Sequence, residues 1–212
     1  MPQPDNFSLV GEHVTLVPLG PQHLTGLLAA ARLDPSLYRW TFAPQTEPEM
    51  AEYIETALAA QRAGTAVPFA ILRVADGVVI GSTRFFNLEF WPWPKDHPRF
   101  GRALPDTVEI GYTWYAATAI RTAANTEAKY LMLAHAFEQW KVLRVCLHTD
   151  ARNERSRAAI ERIGGRFEGI LRSHRMAADF TPRDSARYSI VESDWPGVQE
   201  RLLRMRQKYA QA

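Results

Sequence analysis

The chain has 212 residues, of which 46% are apolar and 23% charged, a length and balance that suit one globular domain with a full core. A net charge of +2 lacks the clustered basic excess of a nucleic-acid-binding domain, and no apolar run nears the roughly 20 residues that cross a bilayer, so neither nucleic acid nor membrane is an expected partner. The single cysteine, Cys146, excludes an internal disulfide framework, and the opening Met1-Pro2-Gln3-Pro4-Asp5 carries no signal-peptide pattern, so a cytoplasmic location is expected.

In chain order, residues 14–18 read as a short strand and Gly20-Pro21 opens a helix to about Arg32. Thr46 and Glu49 have capping-box spacing, and Met50, Tyr53, Ile54, Ala57 and Leu58 follow at helical intervals. Residues 68–74 and 78–90 read as hairpin strands joined at Asp76-Gly77. Residues 91–106 form an irregular loop rich in proline and tryptophan. Residues 107–115 alternate, which places Val108, Ile110, Tyr112 and Trp114 on one face and Glu109, Gly111, Thr113 and Tyr115 on the other. A helix over 125–140 is apolar on most sides and therefore buried. A strand at 143–149 and a helix at 154–163, stopped by Gly164-Gly165, come next. Strands at 167–175 and 187–192 pair across a loop at 176–186, and a last helix covers about 194–209. Early hairpins followed by helix-separated strands imply an α/β fold of the α+β kind, a mixed sheet covered by helices.

The chain has no P-loop, no G-x-G-x-x-G and no G-x-S-x-G elbow. Its six histidines, at 13, 23, 97, 135, 148 and 174, lack ligand spacing, so no metal is expected. The informative tract runs from Glu109-Ile110-Gly111-Tyr112 through Arg121-Thr122-Ala123-Ala124-Asn125-Thr126-Glu127-Ala128-Lys129 to Asn153-Glu154-Arg155-Ser156. A strand, a loop of small residues and a helix start make an anion site, because free backbone N–H groups and the helix dipole converge there.

These pieces resemble the GCN5-related N-acetyltransferase superfamily, and within it the ribosomal-protein N-terminal acetyltransferase (RimJ/RimL-like) branch. That branch carries R-T-G-V-N-T-E-A-K-like tracts after an E-I-G-Y strand, and N-x-x-S at the next helix. The resemblance spans about residues 9–192. It implies a single domain with a mostly antiparallel sheet of about seven strands, splayed in the middle, with helices on both faces. It implies direct transfer of acetyl from acetyl-CoA to a primary amine, either a protein N-terminus or a small molecule. A homodimer is compatible with it.

By resemblance, Arg121, Thr122, Ala123, Ala124, Asn125 and Thr126 hold the pyrophosphate of CoA, mostly through main-chain N–H groups. Thr113, Trp114 and Tyr115 pair with the pantetheine arm, and Asn153 hydrogen-bonds that arm or simply caps its helix. Ser156 is the expected proton donor to the departing thiolate, and Glu109 the base that receives the amine's proton. His97, His174 and Asp184 are weaker candidates for that base. Arg152, Arg155, Arg157 and Arg162 are candidates for the 3′-phosphate of CoA, against a solvated basic face. One departure stands out. Aligned on the N-T-E-A-K tail, the slots of the usual Q/R-x-x-G-x-G/A loop hold Ile120, Ala123 and Asn125, or, shifted by one, Arg121, Ala124 and Thr126, and neither register has a glycine. If position 123 needs a positive φ, alanine costs about 1 kcal/mol or more there. A CoA-binding module without catalysis is therefore the alternative reading.

Overall fold

A computed structural model describes residues 7–210. Eight strands, β1 (Leu9–Val10), β2 (Val14–Pro18), β3 (Ala66–Arg73), β4 (Val79–Glu89), β5 (Thr107–Tyr115), β6 (Arg144–Asp150), β7 (Arg166–Met176) and β8 (Pro182–Val191), form one sheet in the order β1-β2-β3-β4-β5-β6-β8-β7. All neighbours are antiparallel except β5 and β6. The helices are α1 (Leu24–Arg32), α2 (Glu47–Arg62), α3 (Ala124–Ala134), α4 (Glu154–Arg162) and α5 (Trp195–Ala210).

The sequence reading of this architecture holds with four adjustments, one being that the helix expected over 125–140 keeps α geometry only to Ala134 and continues as a π-helical turn over His135–Gln139. The two-residue β1 brings the strands to eight. A 3-10 turn at Pro21–His23 precedes α1, because Pro21 suits a helix start but the first turn is too tight for α geometry. Strand β8 begins at Pro182, so the connection to β7 is a short turn rather than an eleven-residue loop; Arg175 and Met176 already pair with Arg183 and Pro182.

Two apolar clusters separate the faces. Helices α3, α4 and α5 share a core with Val14, Leu16, Phe69, Ile71, Val108, Ile110, Tyr115 and Leu147. Helices α1 and α2 cover the other face, where Leu27, Met50, Tyr53 and Ile54 pack with Ala70 and Trp114. The Thr46–Glu49 capping box is in place, and Met50, Tyr53, Ile54 and Ala57 are buried as their spacing implies.

Helix α3 also buries charge. Glu127 is fully buried and accepts the backbone N–H groups of Glu12, His13 and Val14 at 3.1, 2.6 and 2.8 Å. Arg206 of α5 donates to the same carboxylate at 2.7 and 3.1 Å. One side chain thus joins the start of β2, the helix that follows the anion loop, and the C-terminal helix. Gly11 is required there, since a Cβ would stand 2.5 Å from the Glu127 carboxylate. Burial opposes the charge, but the three amides and Arg206 outweigh it and hold the carboxyl below its ordinary range. A lowered folded-state value means that this contribution is present near neutrality and is lost as pH falls through it. Glu127→Gln should lower unfolding stability by about 3–5 kcal/mol in denaturant titrations at pH 7. The deficit relative to the wild type should shrink on acidification below about pH 4; a pH-independent deficit would count against the charge as its source.

Candidate active site

The site is built by a fork in the sheet. Parallel pairing of β5 with β6 lasts three residues, from Thr107↔Arg144 to Glu109↔Cys146. Beyond Glu109 the strands part, and each keeps only its outer partner. A β-bulge lies on the parting strand. Ser82 pairs with Trp114 but Arg84 with Gly111, so Tyr112 and Thr113 together oppose Thr83, and Tyr112 adopts φ 51°. The bulge corrects the simple alternation expected for 107–115. Trp114 packs with α1 and α2, while Tyr115 joins Val108 and Ile110 on the opposite face. Tyr112, expected among the apolar set, is half exposed at the bulge. Gly81 permits the close strand approach here, since a Cβ would lie 2.1 Å from the Trp114 carbonyl oxygen.

On the α3 side, β5 leads through a 3-10 turn at Ala117–Ala119 into the loop at 120–126. The N–H groups of Arg121, Thr122 and Ala123 have no acceptor among the described residues. Those of Asn125 and Thr126 lie in the first turn of α3, where no intrahelical acceptor exists. Thr122 shapes the loop by donating to the Ala119 carbonyl at 2.8 Å and accepting from the Ala124 N–H at 3.2 Å. The absent glycine is answered by geometry. Ala123 has φ −62°, which any L-residue adopts, and the left-handed residue of the loop is Arg121, at φ 62°. Backbone donors, small side chains at 123 and 124 and a helix start fit a diphosphate.

Arg162, at the end of α4 away from the N–x–x–S element, donates to Thr126 Oγ1 at 3.0 Å and ties that helix to the start of α3. Asn153 caps α4, its Oδ1 accepting the Ser156 N–H at 3.0 Å. The Ser156 hydroxyl is half-buried and has no partner among the described residues. The arginines near α4 are already engaged: Arg152 with Asp150, Arg155 with the Leu37 carbonyl, Arg157 with Tyr188.

Lys129, which the sequence reading passed over, is buried at 7% exposure, and its Nζ donates to Thr113 Oγ1 at 2.8 Å. No carboxylate pairs with it among the described residues. Burial pulls its pKa down to about 7. The signal for it was the single lysine in an otherwise buried helical stretch.

On the opposite side of the fork stands Glu109, at 4% exposure on the last paired rung. Asn87 Nδ2 donates to it at 2.8 Å and Arg175 Nη2 at 3.1 Å. His148 Nδ1 lies 2.8 Å from Oε1, in ion-pair contact although off the line of a well-formed hydrogen bond. Burial works to raise the Glu109 pKa; His148, Arg175 and Asn87 together overcome it and hold the carboxyl below its usual range. His148 Nε2 is buried without a partner, and the His174 ring is 5.2 Å away. Burial, then the Arg175 charge, lowers the His174 pKa. Sequence inspection weighed His174 but missed His148, Asn87 and Arg175 as neighbours of Glu109. In β6 the polar residues alternate at 144, 146, 148 and 150, which was the available signal for His148.

Two other candidates lie apart from this cluster. His97 stacks on Trp93 at 4.0 Å inside the 91–106 loop, where Asp106 also accepts from Trp91 and Trp93. Asp184 accepts the Ser173 N–H in the β7–β8 hairpin. Cys146 accepts from Arg144 Nε at 3.0 Å. Among the described residues no group of three or more His, Cys, Asp or Glu side chains could hold a metal ion, and no helix is long and apolar enough to cross a membrane.

Comparison with known proteins identifies the family. The family model described as an acetyltransferase (GNAT) domain matches residues 13–166. No curated protein sequence matches the chain. A GCN5-related N-acetyltransferase from Brucella melitensis is 27% identical, with a TM-score of 0.79, over 96% of this chain and 86% of that one. A structure from T. thermophilus described as an acetyltransferase is 33% identical, with a TM-score of 0.76, over 93% and 96%. Mycobacterium smegmatis RimJ, solved with CoA-disulfide, shares the fold at 22% identity and a TM-score of 0.73, over 91% and 88%. By its family match, its sheet and its relatives, the chain belongs to the GCN5-related N-acetyltransferase (GNAT) family.

Proposed function

We propose that the protein, acting as one domain, transfers acetyl from acetyl-CoA directly to a primary amine, with both substrates bound together across the fork. The observation that carries this reading is the opposition of two unlike surfaces at one break in the sheet: unpaired amides at a helix start on one side, and a buried carboxylate–imidazole contact on the other. The loop at 121–126 would take the diphosphate, and the free strand edge at Thr113, Trp114 and Tyr115 the pantetheine arm. The amine nitrogen then attacks the thioester carbonyl carbon, and the C–S bond breaks. The amine's proton passes to the Glu109–His148 pair, and the departing thiolate takes one from the Ser156 hydroxyl, which regains a proton from solvent water in the same step. A carboxyl held below its ordinary range is a weak acceptor alone, so the neighbouring imidazole is a natural part of the base. The acceptor is a protein N-terminal amine or a small amine. The unstrained backbone at Ala123 removes the main argument for a non-catalytic CoA-binding module.

Thiol release from acetyl-CoA in an amine screen tests the reading; firm CoA binding with no turnover on any amine would favour the binding module. Glu109→Gln should lower kcat by about 100-fold or more. His148→Gln removes the group that does most to hold the Glu109 carboxyl down, so the rate should fall and the acid limb of the kcat/KM profile should move to higher pH. An unmoved limb at full rate would remove the pair from the mechanism.

Asn153→Ser separates capping from ligand binding, since serine caps nearly as well as asparagine but lacks the amide N–H₂. The expected result is unchanged thermal stability without ligand and about tenfold weaker CoA binding by calorimetry. Equal affinity would leave Asn153 as a cap alone.

Lys129 has a folded-state pKa below its unfolded one, so its burial penalty is full below about pH 7 and fades toward about pH 10 as the unfolded chain also loses the proton. Lys129→Met should therefore stabilise the ligand-free protein at pH 6 and do so less at pH 9. A stabilisation that does not vary with pH would mean that the ammonium is not the cost.

A further inference from the structure

The acceptor side of the fork is unusually rich in guanidinium groups. Arg84, on β4, is 4% exposed, and its Nε has no acceptor. Its Cζ lies 4.0 Å from the Tyr112 ring centroid and 5.1 Å from that of Tyr53, and no carboxylate pairs with it among the described residues. Arg183, on β8, donates to Ser185 Oγ at 3.0 Å and likewise forms no ion pair among the described residues. Arg175 shares Glu109 and lies over the Phe86 ring at 5.3 Å; Phe86 in turn meets Tyr112 edge-on at 5.0 Å. These contacts run without a gap from Glu109 to Arg84. Tyr112, half exposed at the bulge, opens the row to solvent.

The charges do not balance. Three guanidinium groups face one carboxylate, Glu109; the nearby Asp150 is already bound by Arg152 through both oxygens. Arg183 is held next to Arg175 in a half-buried setting, where burial and that like charge oppose its protonated form more than the Asp150 and Glu109 carboxylates support it. A buried guanidinium without an anion is costly, and the cost falls when a carboxylate arrives. Polyamines and aminoglycosides would bring more positive charge to this row. An amine with a carboxylate a few ångströms away would place its nitrogen beside Glu109 and His148 and its anion on Arg84 and Arg183.

Resting on the acetyltransferase reading above, we propose that the acceptor is an anionic amine, one whose carboxylate is read by Arg84 and Arg183 across the Tyr112 bulge. The carboxylate can belong to a free amino acid or to an acidic side chain near a peptide's N-terminus.

The test uses charge-matched acceptors with the full-length protein and acetyl-CoA. Glutamate is compared with glutamine, the peptide Ser-Asp-Glu-Ala amide with Ser-Asn-Gln-Ala amide, and both pairs with spermidine. The proposal expects kcat/KM at least tenfold higher for the acidic member of one pair, and the pair that discriminates names the source of the carboxylate. Arg183→Gln should reduce that preference about 10- to 100-fold, mainly through KM. Arg84→Lys keeps the charge but loses the planar fork, and should reduce it less. Equal use of both members of each pair, or preference for spermidine, would overturn the proposal. If no amine turns over although CoA raises the melting temperature, the acetyltransferase reading fails. The inference is then read separately, by calorimetric titration of the two peptides onto the CoA-loaded protein. Tighter binding of the acidic peptide, weakened by Arg183→Gln, upholds it; equal binding refutes it.

Discussion

The arrangement depends on where β5 stops pairing with β6. A parallel strand pair that ends after three residues leaves two rows of backbone groups without partners inside the sheet, which is costly unless something else uses them. Glu109 occupies the last rung and binds what lies around the opening: β4 through Asn87, β6 through His148, and β7 through Arg175. A buried carboxylate therefore adds a side-chain tie between β4, β6 and β7 beside the last of the three rungs that join β5 to β6. The residue proposed to receive a proton is also the one that bridges the strands around the opening.

The two sides of that gap differ in their chemistry because different helices cover them. Helix α3 contributes its N-terminal end, so that side offers amide donors and partial positive charge with few side chains. Helices α1 and α2 lie over the other side, and through Tyr53 and the strand side chains of β4 and β5 it offers aromatic rings and formal charge. Backbone donors suit a diphosphate of fixed shape, whereas side chains can differ between relatives without disturbing the fold.

Much of this was visible in the residues themselves. The Thr46–Glu49 cap, the bounds of β5 and the cap at Asn153 follow from local rules, because each depends on neighbours a few positions away. The bulge at Tyr112 did not, since it depends on Gly81 and Thr83 of the facing strand. Alternation alone therefore put Trp114 on the wrong face. Glu127 and Lys129 both lie in a helix whose burial was expected, but their partners are 114 and 16 residues away for His13 and Thr113. Periodicity indicates that a helix is buried; it cannot indicate which buried polar group has found a donor and which has not. The same limit hid His148, whose significance comes from standing next to Glu109 in space.

Strand β7 forms the outer border of the sheet, and it is not a smooth ribbon. Its register against β8 shifts twice, between Phe167 and Gly169 and between Leu171 and Arg175, with Gly169 at φ 143° and Ser173 at φ 47°. A border kinked in this way presents its free amides and carbonyls out of step with any straight strand that might be laid against it. The exposed Phe167 and Ile170 alongside are thus protected from edge-to-edge growth by backbone shape as well as by the charged Arg166, Glu168 and Arg172 between and beside them.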